Sequence, residues 1–156
     1  MSLPYRNSKR KRLPTYILIG DGFDELEVIF FLHKFRQAGL PIKSVSLFNQ
    51  LVFSRQGVGL KADYALADKP IDPNQDCWVI LPSGGRNGDA LRNDVRIKSL
   101  LKTINMGHGC VVVTDSGSEL AVDVSELVTK RPSLLRKSSQ NLEDFVDGLT
   151  NRVVYS

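Results

Sequence analysis

Three short, almost wholly apolar runs, each closed by a turn and followed by a helical pattern, limit what this chain can become. They are YILIG at residues 16–20, WVIL at residues 78–81 and CVVVT at residues 110–114. A strand that is apolar on both sides needs cover on both faces, the condition of a parallel strand packed between two layers of helix. The intervening patterns supply those helices. Residues 24–38 open with Asp24, Glu25 and Glu27, acids that complement the positive end of a helix, and stop at Gly39 before Pro41. Residues 89–105 carry Ile97, Leu100, Leu101 and Ile104 on one stripe, and a shorter helix is expected over residues 118–127. A strand is expected at residues 42–47, short strands or a hairpin over 52–64, and strand and turn in the tail, 145–155. The expected fold is an α/β three-layer sandwich, a mostly parallel open sheet with helices on both faces.

Length and charge refine this. The chain's 156 residues fit one domain, expected over residues 15–156, with residues 1–14 as a basic arm. Residues 1–15 hold five bases (Arg6, Lys9, Arg10, Lys11 and Arg12) and no acid, while the rest holds 16 bases and 17 acids, a net of −1. The basic balance therefore belongs to the arm, which offers nucleic acid or an anionic surface a contact; a solvated leader is the plainer expectation. Cys77 and Cys110 lie in apolar runs and are expected as buried free thiols. No cysteine or histidine cluster has ligand spacing, so neither a metal nor another cofactor is expected. No run approaches the roughly 18–20 apolar residues of a membrane span, and no apolar signal core opens the chain, so the default location is cytoplasmic.

The segments that begin at the carboxyl ends of the three apolar strands converge on one crevice, and they also carry a resemblance. Residues 19–27 (IGDGFDELE), 81–85 (LPSGG) and 109–117 (GCVVVTDSG) resemble, in order and spacing, three segments of the ThiJ/PfpI superfamily, whose members share the class I glutamine amidotransferase fold. The likeness runs over about residues 15–130. It implies that Glu27 supports the residue at a nucleophile elbow, that the Gly84–Gly85 loop offers oxyanion donors, and that Asp115 stands at the elbow. Active relatives carry cysteine there, often with a later histidine; residues 120–156 contain none. The resemblance also implies a closing helix, which the strand-like reading of the tail does not supply. A sheet face left bare in that way would suit a partner subunit.

An elbow needs small neighbours so that its backbone can turn tightly, and Ser116, Gly117 and Ser118 meet that demand. Their amides, with those of Gly84 and Gly85, are expected to form an anion-binding nest. A carboxylate at position 115 is a far weaker nucleophile than a thiolate, though it has nearly the shape and charge of an oxidised cysteine. His33 lies roughly 9 Å along its helix from Glu27, and His108 precedes the elbow strand, so neither is expected to reach Asp115. Facing Glu27, Asp115 is expected to share a proton with it, and the pair either performs acid–base chemistry or closes a dead pocket. Ser116 has no base; Ser83 is expected to tune its loop. Arg86 and Asn87 are expected at the crevice mouth, as anion ligands or ordinary surface residues.

Three functions follow as candidates. One is a catalytically degenerate domain that binds a small molecule or partner through Gly84, Gly85, Arg86, Ser116 and Gly117. Another is a hydrolase or lyase using Asp115 and Glu27. The third is a regulatory module using residues 9–12. The apolar run at residues 28–32 encircles its helix, so a homodimer through that helix is expected; the plainer alternative is burial beneath a loop.

Overall fold

The structure, a computed structural model, describes residues 13–72, 76–107 and 109–154; the basic residues at 6 and 9–12 and His108 lie outside the described residues. Six parallel strands form one open sheet: β1 (Thr15–Ile19), β2 (Ile42–Ser46), β5 (Tyr64–Ala65), β6 (Trp78–Leu81), β7 (Cys110–Val113) and β8 (Ser133–Leu135). Their spatial order is β5-β2-β1-β6-β7-β8. Strands β3 (Leu51–Phe53) and β4 (Gly59–Lys61) pair antiparallel as a separate hairpin. The helices are α1 (Glu25–Gln37), α2 (Asn87–Arg92), α3 (Val95–Met106), α4 (Glu119–Leu127) and α5 (Leu142–Val154).

The apolar strands form as their composition requires. Alternate side chains of β1 point to opposite layers, Ile17 and Ile19 toward α1 and α5, Leu18 toward α3 and α4. The same split divides Trp78 and Ile80 from Val79 and Leu81. Helix α1 starts where Asp24 caps it, its carboxylate accepting the amide of Leu26. Val28, Phe31 and Phe35 bury one face of α1 against the sheet, and α5 lies alongside. Cys77 and Cys110 are both free and buried.

Several expectations are corrected. The single helix expected over residues 89–105 is two, because Asp94 accepts the amide of Arg96 as a fresh cap and binds its guanidinium. The tail is helical where strand and turn were expected. Phe145, Val146, Leu149 and Val153 form a buried helical stripe, and α5 is therefore the closing helix that covers the sheet face expected to be bare. Gly148 sits in that helix with open space around it, so it marks no turn. Strand β8 has no counterpart in the sequence reading. Leu13, assigned to the arm, packs against the α1–α5 core. Among the described residues, no helix is long and apolar enough to cross a membrane.

The strand order gives the fold its functional geography. From β1 the chain builds outward to β2 and β5 on one side, and to β6, β7 and β8 on the other. The loops after β1 and β6 consequently part company, and in open α/β sheets the crevice at such a reversal is where ligands bind.

Candidate functional site

Asn87 pins the two loops at that reversal. It is fully buried, which corrects its expected place at the crevice mouth. Its side-chain oxygen accepts the amide of Gly20 at 2.5 Å, and its nitrogen donates to the carbonyls of Pro82 at 2.7 Å and Leu18 at 3.1 Å. Gly85 completes the interlock. Its φ of +61° is left-handed, and a Cβ there would lie 2.1 Å from the carbonyl oxygen of Gly22, so no other residue fits.

Glu27 rises from the first turn of α1 into the seam between these loops and is only 6% exposed. Its Oε1 accepts the amide of Gly84 at 3.2 Å, and its carboxyl also hydrogen-bonds the Thr114 side chain. Burial pushes the Glu27 carboxyl above the ordinary range; the Gly84 amide, the Thr114 hydroxyl and Arg136 pull it down, and Asp24 adds to the rise. Burial outweighs its opponents, so this is an acid held toward its protonated form.

Asp115 stands in the turn between β7 and α4, exposed. Its Oδ1 accepts the amide of Gly117 at 2.9 Å. The expected shared proton with Glu27 is a correction: Glu27 bonds Gly84 and Thr114, Asp115 bonds its own turn, and the acid acting on Glu27 is Asp24. The expected open nest is corrected at Gly84, Ser116 and Gly117. Gly84 donates to Glu27, Ser116 to the carbonyl of Arg136 at 2.8 Å, and Gly117 to Asp115, so these amides have acceptors within the chain. Ser118 caps α4 by accepting the amide of Ala121, while its hydroxyl donates to the Asp115 carbonyl at 2.7 Å.

Two contributors, Thr114 and Arg136, escape the sequence reading, and two serines take further roles. Thr114 accepts the amide of Ser83 at 2.8 Å and bonds Glu27, joining the β6 loop to the elbow. The hydroxyls of Ser83 and Ser118 lie 3.3 Å apart across the crevice. Arg136, at the carboxyl end of β8, donates to the carbonyls of Thr114 and Gln140, both at 2.8 Å. Its one sequence sign is a base directly after Leu134 and Leu135. His33 is exposed on α1 beside Arg36 and Lys61, in a groove away from these groups. Arg86 is exposed, its amide donating to Gly22 at 2.7 Å.

Comparisons with known proteins bear on family and fold. The model of the DJ-1/PfpI family matches residues 15–127. Deglycase TK1284 of Thermococcus kodakarensis is 23% identical over 146 residues, covering 87% of this chain and 86% of its own length. Among solved structures, Drosophila melanogaster DJ-1beta superposes with a TM-score of 0.75 at 14% identity, over 94% of this chain and 92% of that one. Schizosaccharomyces pombe DJ-1 gives 0.71 at 16% identity, over 92% of this chain and 97% of that one. At such identities the structures speak for the fold alone.

Proposed function

Since the chain belongs to the DJ-1/PfpI family, we propose that it is a binding member of it, one that holds a small polar molecule at the strand ends without covalent catalysis. The observation that carries this reading is the satisfied elbow. The residue at its apex is a carboxylate bonded to the amide of Gly117, and the neighbouring amides are engaged within the chain. A covalent acyl or glycosyl step asks for a strong nucleophile, and a carboxylate at the apex is a weak one. What the crevice retains is a pair of hydroxyls, Ser83 and Ser118, 3.3 Å apart beside the buried Thr114 and Glu27. Such groups suit hydrogen-bonded recognition.

The test restores the missing group. Asp115→Cys is expected to gain amidase, deglycase or glyoxalase-like activity that the natural chain lacks; the deglycase among its relatives makes carbonyl adducts the first substrates to try. Turnover by the natural chain that disappears in Asp115→Asn would overturn the binding reading. It would favour acid–base catalysis instead, with the raised carboxyl of Glu27 as the proton donor.

Self-association belongs to the same proposal. Leu26 and Ile29 on the outer face of α1 are 77% and 48% exposed, and Leu51 and Val58 of the hairpin are about half exposed. A second copy covering α1 would bury them, and a dimeric mass by light scattering is expected. A monomer at all concentrations would remove this part.

A further inference from the structure

We propose that the hollow between the β1–α1 loop, the β6–α2 loop and the β3–β4 hairpin binds the phosphate or carboxylate group of a small molecule, clamped between Arg55 and Arg86. The hollow has a volume of about 430 Å³ and is lined by Asp21, Gly22, Phe53, Ser54, Arg55 and Arg86. That is the size of a small-ligand site. It lies at the ends of β1 and β6, where the chain order reverses, and one strand away from the elbow that follows β7.

Both arginines are positioned before any ligand arrives. Arg86 donates its amide to the carbonyl of Gly22 at 2.7 Å, and its side-chain stem fills the space that a Cβ on Gly22 would need, 2.8 Å from its own Cβ. Among the described residues Arg86 forms no ion pair with an acid, so its fork of donors is open to an incoming anion. Arg55 is fixed by its amide, which donates to the carbonyl of Phe23 at 2.9 Å. Its guanidinium stands 3.6 Å from Asp24, a half-exposed contact of the weak kind that a better acceptor displaces.

The donors of the lining suit the same ligand. Two cations and one acid line the hollow, with Asp24 beside Arg55 outside the lining. The acid, Asp21, has Oδ1 committed to the amide of Phe53 at 3.0 Å, where it braces the hairpin. Guanidinium groups pair with carboxylate and phosphate through two parallel hydrogen bonds, a geometry that an ammonium lacks. The half-exposed ring of Phe53 gives the remainder of such a molecule an apolar wall. The amides at the elbow, by contrast, already have acceptors, so an anion finds its open donors here.

The proposal stands apart from the reading of Asp115, because its test measures anion binding and no turnover. Inorganic phosphate and acetate are titrated into ¹⁵N-labelled protein at low ionic strength. Saturable shifts of the Gly22, Ser54 and Arg86 amide signals are expected for at least one anion. Charge-assisted bonds of this kind put the loss at about 10-fold or more in affinity for Arg86→Gln and for Arg55→Gln. Asp21→Asn, which keeps the acceptor for Phe53 and removes the repelling charge, is expected to bind several-fold tighter. It also guards against loss of folding in the arginine variants. Absence of saturable shifts for both anions, or affinity unchanged in Arg86→Gln and Asp21→Asn, overturns the proposal.

Discussion

Replacing Asn87 with alanine removes the clamp that ties β1 to β6. The side chain is fully buried, so water cannot readily take its place. Its loss strands the amide of Gly20 and the carbonyl of Pro82, groups whose hydrogen bonds run to Asn87 at 2.5 and 2.7 Å. A buried polar group left without a partner costs about 1–3 kcal/mol, so two of them set an expected loss of roughly 2–6 kcal/mol. Asn87→Asp is expected to do no better, because an ionised carboxylate can accept from Gly20 but faces two carbonyls to which it cannot donate. Urea unfolding followed by circular dichroism measures the effect. For a chain of this size, a loss of about 3 kcal/mol lowers the thermal midpoint by roughly 6–12 °C, and it moves the urea midpoint with little change of slope. A loss under about 0.5 kcal/mol, the usual effect of a surface substitution, would refute the clamp and the crevice geometry that hangs from it.

Three further outcomes follow from the same structure. Leu149→Ala is expected to cost about 2–5 kcal/mol in denaturant unfolding, because Leu149 packs α5 into the core; a surface-like loss would deny that α5 closes the sheet. Glu27 makes stability depend on pH. With its folded pKa raised, its favourable contribution is complete below the unfolded carboxyl range and is lost as pH rises through the elevated folded value. Glu27→Gln should flatten that part of the pH–stability curve, and an unchanged curve would contradict the buried acid. Burial pushes the thiols of Cys77 and Cys110 up to about 11, so both are expected to resist a thiol reagent at pH 8 until the protein unfolds; rapid native labelling would contradict that.

The layered fold was legible where physics leaves one solution. Runs such as Trp78–Leu81 and Cys110–Val113 are apolar on both sides, and a parallel strand between helices is what they can form. Helix α5 was misread because Asp147, Gly148 and Asn151 look like turn residues, while its buried stripe is only four residues spaced over 145–153. Strand β8 is three half-buried residues at the sheet edge, too short for alternation to show. The break before α3 hid in one side chain, Asp94, whose carboxyl is held below the ordinary range by its bond to Arg96.

At the site, the segments that meet could be read, but their bonding could not. Glu27 and the Gly84 loop do come together. Thr114, Ser118 and Arg136 enter through contacts between residues 22 to 35 positions apart, or through a cap, and no local pattern encodes these. The Asp115–Glu27 pair was expected from two acids at the right segments. The turn offered Asp115 a nearer donor, the amide of Gly117, and bonding over two residues costs less order than bonding across the crevice.

The independence of those two acids is where the account is most exposed. Carboxyl-carbon NMR of Glu27, followed through a pH titration in the natural chain and in Asp115→Asn, reads it directly. The account predicts a single step above the ordinary carboxyl range, at the same midpoint in both proteins. A two-step curve, or a midpoint that falls when Asp115 loses its charge, would mean that the acids work as a pair.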